Sequence, residues 1–362
     1  MCGNNTKQTS EGEQGENRVR VFYYSELRKA THDFSGANKI GEGGFGSVFR
    51  GRLKDGTFVA VKVLSATSRQ GVREFINELT AISGIMHENL ITLVGCCAEG
   101  SHRILVYNYL ENNSLQHTLL GSGRSNIQFN WRARVKIADL TPKISDFGLA
   151  RLLPPNATHV STRVAGTIGY LAPEYALRGQ VTRKSDIYSF GVLILEIVSG
   201  RCNYNARLPC EDKFLLERTW TYYEQGHLEN IIDADLEDDL DVEEACRFLK
   251  VGLLCAQDAM KLRPSMSNVV RMLIGEKDVS TERITKPSVI FKRYDIELVE
   301  SEEVAEDYTL CISTTIWIRS TVRTPSTLTK SVRKSSVGPV VSSAAAADDA
   351  ALSARFCRCV KG

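Results

Sequence analysis

The chain has 362 residues, 43% of them apolar and 24% charged, with 45 basic against 43 acidic side chains and a net charge of +2. That length suits two ordinary domains or one large two-lobed domain with tails, and the composition excludes wholesale disorder. The near-neutral balance supplies no bulk attraction to nucleic acid or to an anionic membrane.

Residues 1–20 are polar and read as a disordered lead. Polar residues follow Met1-Cys2-Gly3-Asn4-Asn5, so no secretory apolar region is expected, and Gly3 sits one place too late for N-myristoylation. Cys2 is a candidate for S-acylation, with an unmodified end as the ordinary alternative. The most apolar stretch, Ile187 to Val198, is interrupted by Ser189 and Glu196 and is too short to span a bilayer. The ten cysteines contain no C-x-x-C unit, which argues against a zinc site or disulfide framework and for a reducing compartment. A cytoplasmic protein is expected, held at the inner face of the plasma membrane only if Cys2 is acylated.

Structured patterning runs over 21–290. Lys39-Ile40 leads into Gly41-Glu42-Gly43-Gly44-Phe45-Gly46-Ser47-Val48, Asp55-Gly56 is a hairpin turn signal, and Phe58 to Val63 returns as a strand. Val72, Phe75, Leu79 and Ile82 then make one apolar helical stripe. After Trp131 the chain reads as helical, notably over Lys184 to Ser199 and Val242 to Ala256. Residues 291–362 read as a low-complexity tail. Asp295 to Asp307 carries seven acidic residues and no basic one, and sixteen Ser/Thr and eight Lys/Arg follow from Tyr308 onward. Within that tail Leu310 to Ile318 is a short stretch that reads as a strand or a sticky segment.

Gly41, Gly43 and Gly46 fit G-x-G-x-x-G, which serves both the dinucleotide turn and the flap that covers ATP phosphates. The dinucleotide turn must open a helix. Here a hairpin follows, and glycine lets its backbone approach phosphate oxygens where a Cβ would clash. Val59-Ala60-Val61-Lys62 then places a lysine on a small apolar strand, able to reach phosphates if a carboxylate holds it. Glu78, between Phe75 and Ile82, is the candidate partner, with Glu74 one turn earlier as the rival. Either residue alone would read as solvated surface; the glycine hairpin upstream decides for function. Asp146-Phe147-Gly148 supplies an aspartate for Mg²⁺, and Ala172-Pro173-Glu174 closes the segment after it.

With four motifs in this order, the chain resembles the eukaryotic protein kinases, and specifically the plant receptor-like cytoplasmic kinases, from about Phe22 to Ile290. Phe22-Tyr23-Tyr24-Ser25-Glu26-Leu27, His87-Glu88-Asn89-Leu90 and Leu93-Val94-Gly95-Cys96-Cys97 are similar to that family. The resemblance implies an α+β, two-lobed fold with a β-rich small lobe at about 35–107 and a helical large lobe at about 111–290. It implies ATP and Mg²⁺ as cofactors, and it assigns Ile40, Gly41, Gly43, Gly46, Val48, Ala60, Lys62 and Leu110 to the nucleotide. Tyr107 would be the gatekeeper and Asn108-Tyr109-Leu110 the hinge. Gly166-Thr167-Ile168-Gly169-Tyr170-Leu171 resembles Ser/Thr rather than tyrosine kinases, with Thr162 and Thr167 as activation-segment phosphorylation candidates. Asp186 would lie in the central buried helix, and Arg263 would pair with Glu174. The implied partners are ATP, protein substrates and signalling proteins such as receptor kinases.

The chain departs from the family at one place. None of its histidines (32, 87, 102, 117, 159 and 227) is followed by Arg-Asp, so the His-Arg-Asp…Asn loop is absent. Residues 131–137 resemble the start of the helix after the hinge, and 138–146 the strand entering Asp146; the join falls at about Ile137/Ala138. The loss removes the catalytic base, a role worth roughly 10²–10⁴-fold in rate, and the asparagine for a second Mg²⁺. Asp139 is the remaining carboxylate between Trp131 and Asp146 and a poor substitute. The missing helix should also open part of the large-lobe core and strip Asp186 of the loop backbone it would accept from. Three readings stand: a working Ser/Thr kinase, a nucleotide-binding pseudokinase, and a defective product of an altered transcript.

Overall fold

The computed structural model describes residues 19–43, 46–64, 69–83, 85, 87–111, 114–120, 129–138, 143–167, 169–209, 211–236, 239–287 and 316–317. The small lobe is built from β1 (Arg20–Val21), α1 (Tyr24–Ala30), β2 (Lys39–Gly43), β3 (Gly46–Arg52), β4 (Phe58–Leu64), α2 (Arg69–Ile82), β5 (Leu93–Cys97) and β6 (Arg103–Asn108). Its six strands lie in the order β1-β5-β6-β4-β3-β2, with β1 parallel to β5 and the other neighbours antiparallel.

Both faces of this sheet are covered, so its central strands read as apolar runs. On one face Val59 and Val61 of β4 pack with Ile104 and Val106 of β6 and with Phe22, Leu27 and Ala30. On the other, Ala60 and Leu64 pack with Leu105, Tyr107 and the α2 residues Phe75 and Ile82. Strand alternation therefore puts Lys62 on the face that α2 covers. The turn from β3 to β4 centres on Gly56 at φ +89°, where Thr57 N–H donates to Asp55 Oδ1 at 2.9 Å. The sheet begins well before residue 35. Arg20 and Val21 pair with Gly95 and Cys96, and the buried Phe22 ring fills the space over Gly95, where a Cβ would come within 2.5 Å of it.

The large lobe contains α3 (Leu115–Thr118), α4 (Trp131–Ala138), β7 (Lys143–Ile144), β8 (Val160–Ser161), α5 (Pro173–Arg178), β9 (Gln180–Val181), α6 (Arg183–Ser199), α7 (Leu215–Gln225), α8 (Val242–Cys255) and α9 (Met266–Leu273). A last described strand, β10 (Ile316–Trp317), pairs antiparallel with β7. The lobe is organised on α6, buried from Ser185 to Ser199. Its N-terminus is closed by a capping box between Thr182 and Ser185, and its C-terminus by Gly200 in the left-handed region.

The short α4 is anchored at its first turn. Trp131 N–H donates to Asp239 at 2.8 Å and its indole N–H to Glu244 at 2.8 Å, while Arg134 reaches Asp233 at 2.5 Å and the Ile197 carbonyl at 3.1 Å. Trp131 and Ile137 of this eight-residue helix belong to the same core cluster as α6 and α8, and Val135 packs against it.

Helices α6 and α8 cross where two glycines face each other. A Cβ on Gly191 would lie 2.5 Å from Cys255 Cβ and 2.6 Å from the Gly252 carbonyl oxygen. Gly191→Ala is therefore expected to destabilise the protein by about 1–3 kcal/mol through overpacking. Equilibrium urea denaturation checks this, and an unshifted midpoint would contradict so close a crossing.

Candidate functional site

The charged centre of the molecule is Lys62. From β4 its Nζ donates to Glu78 Oε2 on α2 at 3.0 Å and to Asp146 Oδ1, two residues after β7, at 2.8 Å. All three side chains are nearly withdrawn from solvent. Burial alone would push the lysine pKa down, but the charges of Asp146 and Glu78 outweigh it and the net shift is upward, so Lys62 stays protonated. The lysine's carboxylate on α2 is Glu78. Glu74 is buried instead against Gly148, where its Cβ and Cγ would stand 3.4 Å from a Cβ.

Tyr107 adds a contact that motif reading missed: its hydroxyl donates to Glu78 Oε1. Burial first, then the charge of Glu78, holds the phenol well above its ordinary pKa, so it remains a donor. The signal lay in strand alternation, because Ala60 pairs with Tyr107 and Lys62 with Leu105, which puts Tyr107 on the lysine's face of the sheet. Asp146 adopts φ +66°, a region Asp tolerates better than most residues. Asn77 of α2 donates to the Gly148 carbonyl at 3.1 Å and ties that turn to the helix.

The glycine hairpin spans β2 and β3, with Gly43 paired to Gly46; residues 44–45 lie outside the described residues. Gly46, at φ +139°, is demanded by the sheet itself, since a Cβ would collide with the Val63 carbonyl. Gly41 is different: a Cβ there would make only ordinary contacts with Val48, from 3.8 Å. Among the described residues no contact demands glycine at 41. Ile40, Val48 and Leu110 are half-buried and pack on the cluster that contains Ala60, forming an apolar wall beside the lysine. Among the described residues no group of three or more His, Cys, Asp or Glu could hold a metal alone. Mg²⁺ needs less than that, since one or two carboxylates plus phosphate oxygens suffice, and Asp146 supplies such a carboxylate.

Beyond Asp146 the chain is tied to the large lobe. Thr162 N–H donates to the Gly179 carbonyl at 2.9 Å, and Tyr175 accepts from Ala165 N–H at 2.9 Å. Thr162 is half-buried and Thr167 buried. Glu174 and Arg263 form a two-point ion pair at 3.0 and 2.9 Å, both buried, with Ser185 Oγ donating to Glu174 at 2.8 Å. Asp186 lies buried in the first turn of α6, and Asp139 lies outside the described residues. A further buried acid, Glu196, accepts from Tyr170 at 2.5 Å and from Asn203 N–H at 2.6 Å, while its Oε2 has no hydrogen-bond partner among the described residues. Burial lifts its pKa to about 7 against those two hydrogen bonds.

Comparison with known proteins matches residues 34–139 to "Protein tyrosine and serine/threonine kinase" and residues 124–273 to "Protein kinase domain". Cold-responsive protein kinase 1 of Arabidopsis thaliana is 57% identical, with 77% of this chain and 80% of that protein covered. A probable LRR receptor-like serine/threonine-protein kinase of the same plant is 47% identical over 72% of this chain, and another is 45% identical over 75%. The chain spans under a third of the length of these two, 28% and 29%. The first alignment runs over 314 positions yet takes in 77% of a 362-residue chain, which leaves about 35 positions without a counterpart here.

Removing the Tyr107 hydroxyl in Tyr107→Phe takes a buried donor from Glu78 and should cost about 1–3 kcal/mol, read by urea denaturation; unchanged stability would mean that the bond carries nothing. Glu196 has a folded-state pKa near 7 against an ordinary 4.5, so its contribution to stability is present at acidic pH and lost as pH rises from 4.5 to 7. Glu196→Gln should abolish that part of the pH dependence, seen as a smaller loss of stability than in the parent on going from mildly acidic to neutral buffer.

Proposed function

The chain belongs to the plant receptor-like serine/threonine protein kinase family, and from that premise we propose that it binds Mg·ATP but has lost most or all transfer of the γ-phosphate to protein Ser/Thr. The observation that carries the first half is the buried Lys62–Glu78–Asp146 cluster beside an apolar wall and a glycine hairpin. Gly41, whose Cβ the protein itself would accommodate, fits a cradle kept open for phosphate.

In this reading Ile40, Val48, Ala60 and Leu110 bury the adenine. Lys62, kept charged by its two carboxylates, faces the phosphates, and Glu78 fixes the direction of the lysine. Asp146 would hold Mg²⁺, which when bound supplies positive charge against the phosphate oxygens. Asp146 meets Lys62 through Oδ1, so Mg²⁺ and the phosphates would compete for the two partners of that contact.

The second half rests on what the chain lacks. No His-Arg-Asp is present anywhere in the sequence, so no aspartate of that motif stands ready to take the proton from a substrate hydroxyl. The two domain matches overlap at 124–139, across the join at 137/138, and the roughly 35 unmatched positions fit a deleted segment. The consequence is a nucleotide-binding pseudokinase that acts by docking to signalling proteins such as receptor kinases. An altered transcript is the origin best supported by so clean a join. We place it in the cytoplasm, at the inner face of the plasma membrane if Cys2 is acylated; among the described residues no helix is long and apolar enough to cross a membrane.

Two measurements on the purified full chain test the halves separately. Mg·ATP should raise the thermal midpoint, because a ligand at about a hundredfold its Kd adds about 2.7 kcal/mol to the folded state. Lys62→Met should lose that rise, and a parent protein with no rise would overturn nucleotide binding. γ-Phosphate transfer to a protein substrate should not exceed the Lys62→Met blank. Turnover that Lys62→Met abolishes would overturn the loss of phosphotransfer.

A further inference from the structure

The strand that enters Asp146 has two edges. One is filled by the chain just before β5: Ile144 N–H donates to the Asn89 carbonyl at 2.7 Å, and Ile91 N–H donates to the Ile144 carbonyl at 2.9 Å, a parallel bridge with Leu90. Because backbone groups alternate along a strand, Lys143 presents its N–H and C=O to the opposite edge. That edge is occupied by β10, with Ile316 opposite Ile144 and Trp317 opposite Lys143.

We propose that the C-terminal tail supplies this strand in cis, as a built-in closure of the second edge of β7. The strand it completes ends two residues before Asp146, whose carboxylate is held by Lys62. An uncovered strand edge is a row of unmade hydrogen bonds and a template for pairing with other chains. The tail contains one stretch suited to close it. Ile316-Trp317-Ile318 is a run of β-branched and aromatic residues in a region otherwise rich in Ser, Thr, Lys and Ala. Reach is no obstacle: the residues from 288 to 315 could extend on the order of 90 Å, about twice the width expected of a lobe of this size. The surface is therefore a β-augmentation site whose occupant is an apolar extended segment of the same chain.

Hydrogen–deuterium exchange on the full chain tests this. Peptides covering Ile316–Trp317 and Lys143–Ile144 should each exchange about tenfold more slowly than in Trp317→Pro, which removes the ladder donor opposite Lys143. Thr327→Pro, in the same tail, should leave both unchanged. Exchange at the unstructured rate around Ile316 in the parent protein overturns the proposal, as does a Trp317→Pro variant whose Lys143–Ile144 peptide keeps its protection. Protection of the Ile316 peptide that vanishes on dilution would assign the strand to a second copy and overturn the assignment in cis.

Discussion

The position of Lys62 sets conditions on three parts of the chain at once. An ammonium group this deeply placed is stable only with charged partners, because the loss of hydration alone costs several kcal/mol. Glu78 arrives on α2 and Asp146 on the turn after β7, so the cluster fixes the approach of the helix and the strand to one sheet. Tyr107 closes the remaining side of Glu78 from β6. Sheet, helix and turn are thereby locked through one set of hydrogen bonds, and any ligand that pulls Asp146 away works against that set.

The large lobe handles its buried charges by two routes. Arg263 meets Glu174 at two points and gives its other donors to the Gln257, Asp258 and Lys184 carbonyls. Glu196 pairs with no cation among the described residues, and burial makes it hold its proton more tightly. One acid anchors the segment after Ala172 to α6 and the region around Arg263. The other holds Tyr170 and Asn203 with a strength that depends on the proton it carries.

Much of this was legible in the residues because it is local or ordered along the chain. The hairpin at Asp55-Gly56, the strand around Lys62 and the apolar stripe of α2 are short-range patterns, and the order of the motifs named the family. The stripe put Glu78, between Phe75 and Ile82, ahead of Glu74; Lys62 bonds Glu78, and Glu74 lies against Gly148. The contribution of Arg20 and Val21 to the sheet was hidden because two residues carry too little pattern to specify a partner. The tail stretch around Ile316 had the composition of a strand, but pairing with β7 is a non-local fact that composition cannot encode. The lack of His-Arg-Asp shows only as a missing motif between two that are present.

The pairing of β7 with β10 also has a meaning in time. About 170 residues separate the two strands along the chain. At synthesis rates of roughly 5–20 residues per second, the tail emerges roughly ten to thirty seconds after the strand it covers. During that interval the lobes can assemble around Lys62 while one strand edge waits open beside the cleft. Contacts of such long sequence separation form slowly even in a finished chain. On the proposed pairing, the seam beside β7 closes only after Ile316 and Trp317 have been synthesised.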